Sequence, residues 1–417
     1  MSKKFFIFGL ILISFLYLLF RLYQLDNLIG FRLDQGVHLT ETKSIFDEKK
    51  ISLIGPMVTS KSFMGRNFFI GANYYYVLGI IGLISHWDPL VITVCFIFLE
   101  LFFYLLFIHF LKRKFSSFWA LVVFIFIALS PYLVIHSRFF WNPHLLIPLS
   151  ILFLLFSEKY FFKKQAKYLF LTAFLWGFAF ACHYSAIFWI LFFLYIFIKA
   201  GKLLNLKSYL IVIVGFILGN LPFFIFEIRH NFYNIKTIFY ILSHSLQGKE
   251  LTSHYFIFPF LIFFVFTLLF LLSLIKRKFI GSIILIIIVA LLLLVQNNLF
   301  KNYSPLDNLS FWNYPEQKKV VELIIKDGCP QNFNIAATFQ GDTRFYDLRY
   351  LLSLKKCNPM SVEAYPQAQK LFLVAPYDRP VDLETVWEVS SFRPFEIREE
   401  IPLNDQITFF ELDKITE

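Results

Sequence analysis

The chain has 417 residues, of which 58% are hydrophobic, 21% are aromatic and only 16% are charged. Soluble globular proteins carry roughly 25% charged residues, so the composition excludes an ordinary soluble domain and predicts a chain that mostly faces lipid. The formal net charge is +11, but the basic residues cluster between apolar stretches, which argues against a nucleic-acid-binding surface.

Nine stretches of the sequence are predicted to cross a membrane as helices. A transmembrane helix needs about 20 apolar residues, and shorter helices persist where they border protein or a water-filled cavity instead of lipid. The first stretch follows Lys3 and Lys4 and has no small-residue cleavage site after it, so it is predicted to be an anchor. The predicted spans are residues 5–23, 90–111, 118–134, 145–156, 168–181, 185–198, 209–226, 255–274 and 280–295.

Basic residues give these predicted spans an orientation. With the N-terminus in the cytoplasm, the cytoplasmic flanks carry fifteen Lys and Arg residues and the short outer loops carry four. Lys and Arg accumulate on the cytoplasmic side of membrane proteins, so this asymmetry predicts a cytoplasmic N-terminus. The pair 168–181 and 185–198 is interpreted as a short hairpin, because one long span would put its two lysine-rich flanks on opposite sides.

Two long segments are predicted to lie on the outer side of the membrane. The first outer loop, 24–88, contains a helix over about 68–85 that begins among tyrosines, which are favoured at the membrane interface. In the second, 298–417, helix-like and strand-like pieces alternate and predict a small α/β domain. The predicted division is a membrane domain over 1–297 and an extracytoplasmic domain over 298–417. Cys329 and Cys357 are able to form a disulfide if that domain is extracytoplasmic.

Polar residues on the predicted outer side indicate a site assembled from separate loops. The candidates are Asp34 in the first outer loop, Arg138 and Asn142 between the third and fourth spans, His183 in the hairpin, and Glu227, Arg229 and His230 at the end of the seventh span. Three of them also have a simpler interpretation: Asp34 as a solvated loop residue, Arg138 as a side chain reaching lipid headgroups, and His183 as a helix cap. The sequence has no nucleotide-binding glycine loop and no CxxC, HExxH or D-x-D motif.

Other charged residues are assigned structural roles. Glu100 lies midway along its span, where a carboxyl is costly, so we expect it to be paired inside the helix bundle. Glu41, Asp47 and Glu48 are interpreted as the polar face of a helix beside the membrane. In the tail, a solvated helix face is predicted from Asp342, Arg344, Asp347 and Arg349.

Five short motifs follow one another over about residues 1–260: LDQG, GANYYYVLGIIGLISHWDP, SRFFWNPHLLIP, HYSA and FEIRHNF. In this order they resemble the GT-C superfamily of integral-membrane glycosyltransferases, in the branch of protein O-mannosyltransferases and the aminoarabinose transferase of lipid A. LDQG matches the acidic motif of that branch at Asp34, but Gln35 stands where Glu is usual. The second motif lacks the branch's proline and has Ala72 and Asn73 in its place.

The resemblance implies a fold class and an activity. The fold is a multi-pass α-helical membrane protein with about nine transmembrane helices and a small C-terminal extracytoplasmic α/β domain, in the plasma membrane of a bacterium. The activity is a glycosyltransferase that moves a sugar from a polyprenyl-phosphate donor to a hydroxyl of a protein, lipid or glycan acceptor at the outer membrane face. Nucleic acid is not an expected partner.

Roles for the candidate residues follow from this chemistry. An acceptor hydroxyl needs a general base, and Asp34 is predicted to supply it in a single displacement with inversion at the anomeric carbon. A leaving polyprenyl phosphate needs cations, and Arg suits bidentate phosphate contacts. The predicted phosphate ligands are Arg138, Arg229, His183 and His230, with Gln35, Asn142 and Glu227 in support. No cofactor is expected and, without a D-x-D pair, no strict need for a divalent metal ion.

Two other functions are compatible with the sequence. A flippase or transporter of lipid-linked sugars would use the same cavity and arginines but would need no general base. Transporters often contain inverted internal repeats, and no repeat is evident in this sequence. A non-catalytic envelope scaffold would instead use the C-terminal domain as a binding module.

Overall fold

The structure is a computed structural model that describes residues 2–57, 67–191, 193, 206–244, 311–378 and 380–415. Several predictions lie outside the described residues. These are the spans 255–274 and 280–295, the end of the span 185–198, and the boundary between the two predicted domains at residue 297.

Helices dominate the described chain up to residue 244. In chain order they are Lys3–Leu22 (α1), Leu25–Leu28 (α2), Leu33–Asp47 (α3), Asn73–Ile84 (α4), Pro89–Lys114 (α5), Ser117–Leu129 (α6), Pro131–His136 (α7), Leu146–Lys163 (α8), Ala166–Cys182 (α9), Leu206–Gly219 (α10), Leu221–Arg229 (α11) and Tyr233–His244 (α12). Two 3-10 turns, Asn142–Leu145 and Tyr184–Trp189, precede α8 and follow α9.

Three of the described helical segments are long and apolar enough to cross a membrane: α1, α5 and the run Asn142–Lys163. The predicted multi-pass helical architecture is therefore confirmed. The prediction for 145–156 was too short, because a 3-10 turn and α8 together make a helical run of 22 residues. The ends of α5 were predictable from the sequence. Asp88 caps its first turn and basic residues occupy its last turn, an arrangement that the helix dipole favours.

The predicted span 209–226 is not one straight helix. It divides at Asn220 into α10 and α11, whose axes meet at 82°. Pro222 lies at the start of α11 and lacks the backbone N–H that a continuous helix would need at that position. The chain therefore turns sharply where the sequence pattern alone predicted an uninterrupted helix.

Close backbone contact holds α9 against α10. A Cβ atom at Gly177 would overlap the Phe216 carbonyl oxygen, and one at Gly219 would overlap the Phe174 carbonyl oxygen. Small residues let membrane helices approach this closely where apolar burial alone gives little drive for association. This packing explains how the short helix α9 is retained in the bundle.

The first outer loop contains a pair of strands in addition to the helices predicted there. Two short strands, Ile54–Met57 (β1) and Phe69–Gly71 (β2), pair antiparallel, so the helix α4 begins later than expected. Asn73 anchors the start of α4 by donating a hydrogen bond to the Gly219 carbonyl oxygen at 2.8 Å. One side of α4 is buried and the other exposes Ile80, Leu83 and Ile84, which fits a helix in contact with lipid.

Residues 311–415, which we name the C-terminal unit, form the predicted small α/β structure. Its sheet has the order β3-β4-β6-β5, with β3 and β4 parallel and the other pairs antiparallel. The strands are Phe333–Ala337 (β3), Lys370–Pro376 (β4), Phe395–Pro402 (β5) and Ile407–Lys414 (β6), and the helices are Tyr314–Ile325 (α13), Tyr346–Leu354 (α14) and Trp387–Ser390 (α15).

A disulfide closes part of the C-terminal unit. It joins Cys329, which follows α13, to Cys357, which follows α14, with 5.4 Å between the two Cα atoms. The sequence left this bond conditional on the location of the unit. Cys95 and Cys182 carry free thiols, and Cys182 is buried at the end of α9.

The C-terminal unit packs directly on the start of α3. The Phe31 ring lies edge-on to the rings of Tyr314 and Tyr350 at centroid distances of 6.0 and 5.9 Å. Gln317 donates hydrogen bonds to the Phe31 carbonyl oxygen at 3.0 Å and to the Asp347 carboxyl at 3.1 Å. The helix that begins at Leu33 is therefore supported from both the membrane bundle and the C-terminal unit.

The interpretation of Asp347 as part of a solvated helix face is wrong. This carboxyl is 0% exposed, because the face of α14 that carries it is turned toward α13 and α3. Burial, together with the nearby Asp342 carboxylate, raises its pKa from 3.8 to a net value of about 7. Arg32, the Leu348 backbone N–H and the Trp312 side chain act in the opposite direction.

We expect Asp347 to make the protein less stable as the pH rises from about 4 to about 7. Between these values the folded chain holds a proton that the unfolded chain releases, since the pKa rises from 3.8 to about 7 on folding. The free energy of unfolding, measured across this range, should have a smaller pH slope in Asp347→Asn than in wild type. Equal slopes in the two proteins would contradict the prediction.

Candidate active site

Asp34 is the second residue of α3, and its neighbour Gln35 fixes the start of that helix. The Gln35 Oε1 atom accepts a hydrogen bond from the Arg32 backbone N–H at 3.3 Å, and its Nε2 atom donates to the Phe140 carbonyl oxygen at 3.3 Å. A carboxylate has no proton to donate to a carbonyl. The amide at Gln35 therefore ties α3 to the loop after α7 in a way that the Glu usual in the resembling motif would not.

The Asp34 carboxyl lies in a recess between α3, α4 and the loop after α7. Its side chain is exposed, yet burial by surrounding protein raises the pKa of the carboxyl, and a hydrogen bond with the Trp141 side chain partly opposes this. A side chain that is exposed and yet surrounded by protein lies at the accessible edge of a concave surface. A carboxylate of raised pKa is a stronger proton acceptor, which suits a general base.

Four more side chains belong to this recess. His38 and Glu41 lie four and seven residues after Asp34 on α3, and α4 presents Tyr74 and Tyr75 to them. The His38 ring is edge-on to the rings of Tyr74 and Tyr75, at centroid distances of 5.4 and 6.2 Å. We name the set Asp34, His38, Glu41, Tyr74, Tyr75 and Trp141 the Asp34 recess.

The sequence interpretation of Glu41 as part of a plain polar face missed its contact with α4. The Tyr75 hydroxyl donates a hydrogen bond to the Glu41 carboxylate. Burial raises the pKa of Glu41, and this hydrogen bond lowers it. Residues at i, i+4 and i+7 share one helix face, so the spacing of Asp34, His38 and Glu41 was a signal that the sequence did contain.

Arg138 is buried and faces the end of α1. It is 2% exposed, and its Nη2 atom donates to the Phe20 carbonyl oxygen at 2.7 Å. Burial and the positive charge of Arg21 together lower its pKa to about 10. Arg21 is itself held by the carbonyl oxygens of Ile127 and Ala128 at 3.1 and 3.0 Å. Arg138 therefore does not reach toward lipid headgroups, which was the simpler interpretation.

The loop of Arg138 is nevertheless attached to the Asp34 side of the molecule. Its carbonyl oxygen accepts a hydrogen bond from the Gly30 backbone N–H at 3.1 Å. Farther along the loop, Asn142 Nδ2 donates to the Cys182 carbonyl oxygen at 2.9 Å. The loop after α7 thus connects the start of α3 with the end of α9.

His183 acts as a helix cap, as its simpler interpretation predicted. Its Nδ1 atom accepts a hydrogen bond from the Ser185 backbone N–H at 3.2 Å and also contacts the Ser185 hydroxyl at 2.8 Å. These contacts fix the 3-10 turn Tyr184–Trp189, which follows directly. This nitrogen is consequently engaged within the protein.

Glu227 is a buried helix cap. It is 0% exposed, and its carboxylate accepts hydrogen bonds from the Asn234 backbone at 3.2 Å, from Asn234 Nδ2 at 2.9 Å and from the Ile235 backbone at 3.0 Å. These donors belong to the first turn of α12, where free backbone N–H groups need a partner. Arg229 and His230 are exposed at the end of α11, and the His230 ring stacks on Phe226 at 4.1 Å.

Replacing Glu227 by Gln is expected to destabilise the protein by about 1 to 3 kcal/mol, because the cap loses its charge and one hydrogen-bond acceptor. The rate of any reaction at Asp34 should stay within about twofold of wild type, since Glu227 holds α12. Thermal unfolding and a rate assay check the two halves of this prediction. Glu322→Gln, on the exposed face of α13, is the control. A lower rate at unchanged stability would show that Glu227 takes part in the reaction.

The structure thus brings some of the predicted site residues together. Asp34, Gln35 and the Arg138 loop meet around the start of α3, and Asn142 ties this loop to the end of α9. In the ranges that the structure describes, no group of three or more His, Cys, Asp or Glu side chains is arranged to hold a metal ion.

Comparison with known proteins gives one structural relative. No protein-family model and no curated protein sequence matches the chain. ArnT from Cupriavidus metallidurans, in a crystal structure bound to undecaprenyl phosphate, aligns with 99% of this chain and 98% of its own at a TM-score of 0.56 and 10% identity. The chain has a GT-C-like fold. At this identity the likeness concerns the fold, and the GT-C-like fold extends over both the helical bundle and the C-terminal unit.

Proposed function

We propose that the chain is a glycosyltransferase that moves a sugar from a polyprenyl-phosphate donor to an acceptor hydroxyl. The observation that carries the proposal is the Asp34 carboxyl, which keeps an exposed edge in a recess whose burial raises its pKa. The GT-C-like fold supports a lipid-linked donor, because the structural relative was crystallised with undecaprenyl phosphate. The acceptor is a hydroxyl of a protein, a lipid or a glycan.

The proposed reaction is a single displacement with inversion. The acceptor hydroxyl gives its proton to the Asp34 carboxylate while its oxygen forms a bond to the anomeric carbon of the sugar. The bond from that carbon to the phosphate oxygen breaks, and its electron pair leaves with the polyprenyl phosphate. Base catalysis of this kind contributes typically about 10²- to 10⁴-fold to a rate.

Cations are needed where the phosphate departs. Arg229, with His230, remains our proposed phosphate ligand, because both side chains are exposed at the end of α11. The buried contacts of Arg138 and His183 favour positioning roles for them, in the loops beside Asp34. Gln35 and Asn142 support the same loops.

The proposed location is the outer face of a bacterial plasma membrane, with a cytoplasmic N-terminus. The disulfide between Cys329 and Cys357 supports an extracytoplasmic C-terminal unit, since such bonds persist in oxidising compartments. The distribution of Lys and Arg in the sequence supports the same orientation.

The test is label transfer by purified protein in liposomes. The liposomes carry undecaprenyl phosphate linked to a radiolabelled sugar, and an envelope extract supplies acceptors. Movement of label from lipid to acceptor supports the transferase. Movement of labelled lipid across the bilayer without transfer would instead identify a flippase, and neither activity would favour a scaffold. Loss of transfer in EDTA, restored by manganese or magnesium, would contradict a metal-independent mechanism.

A further inference from the structure

Two buried polar atoms beside Asp34 have no hydrogen-bond partner in the described part of the chain. They are the Tyr74 hydroxyl, on a side chain that is 0% exposed, and the His38 Nδ1 atom, on a side chain that is 6% exposed. The two rings touch edge to face, with centroids 5.4 Å apart. Asp34 and His38 lie one turn apart on α3, and the Asp34 charge helps to raise the pKa of Tyr74.

Such atoms are costly to the folded protein. A buried donor or acceptor without a partner costs about 1 to 3 kcal/mol, because it has lost its hydrogen bonds to water. Most buried polar side-chain atoms in proteins are paired, and exceptions often have a functional reason. Two unpaired atoms on neighbouring rings, beside the helix turn that carries the proposed base, point to a ligand that supplies the missing partners.

The charge of the surroundings limits which ligand fits. Burial lowers the pKa of His38 to about 3, so the ring is neutral at physiological pH. Burial raises the pKa of Tyr74 well above its usual 10, so its hydroxyl is neutral too. The same recess carries the Asp34 and Glu41 carboxyls, which disfavour an acidic group on the sugar itself. Neutral hydroxyl groups can form hydrogen bonds with the neutral Tyr74 and His38 side chains and with the two carboxyls.

We infer that Tyr74 and His38 form a subsite that binds hydroxyl groups of the sugar being transferred. The inference rests on the proposed function and adds a substrate class to it: sugars without an acidic group. Asp34 and Glu41 keep exposed faces, and they mark the side from which the sugar enters. Entry requires α3 and α4 to separate slightly, since the two unpaired atoms themselves are covered.

The decisive variant is Tyr74→Phe, which removes only the hydroxyl. In the ligand-free protein this change should leave the melting temperature unchanged or raise it, because an unpaired buried hydroxyl is lost. Affinity for undecaprenyl-phosphate glucose should fall about tenfold, the equivalent of one hydrogen bond of about 1.4 kcal/mol. Affinity for undecaprenyl phosphate without a sugar should not change.

Tyr104→Phe is the matched control. Tyr104 lies on α5, is 0% exposed, and also has an unpaired hydroxyl among the described residues, but its charged neighbours are Glu100 and Arg21 instead of Asp34. It should show the same stability response and no change in donor affinity. His38→Phe, which keeps an aromatic ring in place, should reproduce the specific loss seen with Tyr74→Phe.

The donors tested are undecaprenyl phosphate linked to glucose, mannose, arabinose or glucuronic acid, and only the glucuronic acid donor should fail. Wild-type transfer with equal donor affinity in Tyr74→Phe would overturn the subsite and leave the proposed function standing. Lost transfer at unchanged donor affinity would assign the hydroxyl to the acceptor and overturn the sugar subsite. A marked fall in the stability of Tyr74→Phe would show a structural role. A wild type inactive with every donor would overturn both proposals.

Discussion

Asp34→Asn is expected to lower the rate of sugar transfer by about 10²- to 10⁴-fold, the range that a general base contributes. The amide keeps the shape of the side chain and an oxygen that can accept the hydrogen bond from Trp141, but it cannot take a proton at neutral pH. Burial raises the pKa of Asp34, so removing its charge should not reduce stability. Donor affinity should remain close to that of wild type.

The pH dependence provides a second measurement on the same residue. A general base acts in its ionised form, so kcat/KM of wild type should fall as the pH is lowered through the raised pKa of Asp34. The residual kcat/KM of Asp34→Asn should not show this fall at low pH. Single-turnover transfer, measured with donor bound beforehand, separates the chemical step from binding.

Asp47→Asn is the control for this prediction. Asp47 is exposed at the end of the same helix and pairs with Lys43 on the surface, where ion pairs contribute little to stability. Its transfer rate and melting temperature should match those of wild type. Equal transfer by Asp34→Asn and wild type would move the base elsewhere, and Glu41 is then the next carboxylate of the Asp34 recess.

Gly36→Ala is expected to destabilise the protein by about 1 to 3 kcal/mol, as overpacking of a close contact does. A Cβ atom at this position would lie 2.7 Å from the Asp347 nitrogen and 2.7 Å from the carbonyl carbon and oxygen of Tyr346. These are backbone atoms, which cannot rotate away as the end of a side chain can. The start of α3 would therefore have to move off α14.

Transfer should fall together with stability in Gly36→Ala, because a shift of about 1 Å in a catalytic group costs on the order of 10²-fold in rate. Hydrogen exchange at residues 33–47 should become faster, and thermal unfolding should begin earlier. Gly341→Ala is the matched control, since a Cβ atom there meets nothing within 4 Å. If both glycine variants behave like wild type, the contact between α3 and the C-terminal unit is looser than the structure indicates.

Features set by neighbouring residues in the chain were predictable from the sequence. The helices α1 and α5 have long apolar runs with basic flanks, and β3 to β6 stand out as strand-like pieces between turn residues. The placement of Asp34 beside the Trp-Asn-Pro loop was also accessible, because the order of motifs implied a common outer site.

Features set by contacts between one helix or strand and another were not predictable. Asp347 looked solvated because nothing near it in sequence shows that Gln317 and the start of α3 cover it. The capping role of Glu227 was hidden too, because its partners lie in the next helix, seven and eight residues away. Periodicity gives the face of a helix on which a residue lies, and it does not say what packs on that face.

The contact between the C-terminal unit and α3 changes how shortened versions of the protein are to be understood. Without residues 311–415, the Phe31 ring loses Tyr314 and Tyr350, and Arg32 loses its hydrogen bonds to Gln340 and to the Trp312 carbonyl oxygen. An inactive truncation would therefore report a displaced helix as readily as a missing acceptor site. The two units are better regarded as one folded body encoded in two pieces. Co-expressed halves, divided between residues 245 and 310, are therefore suited to assigning a role to either unit.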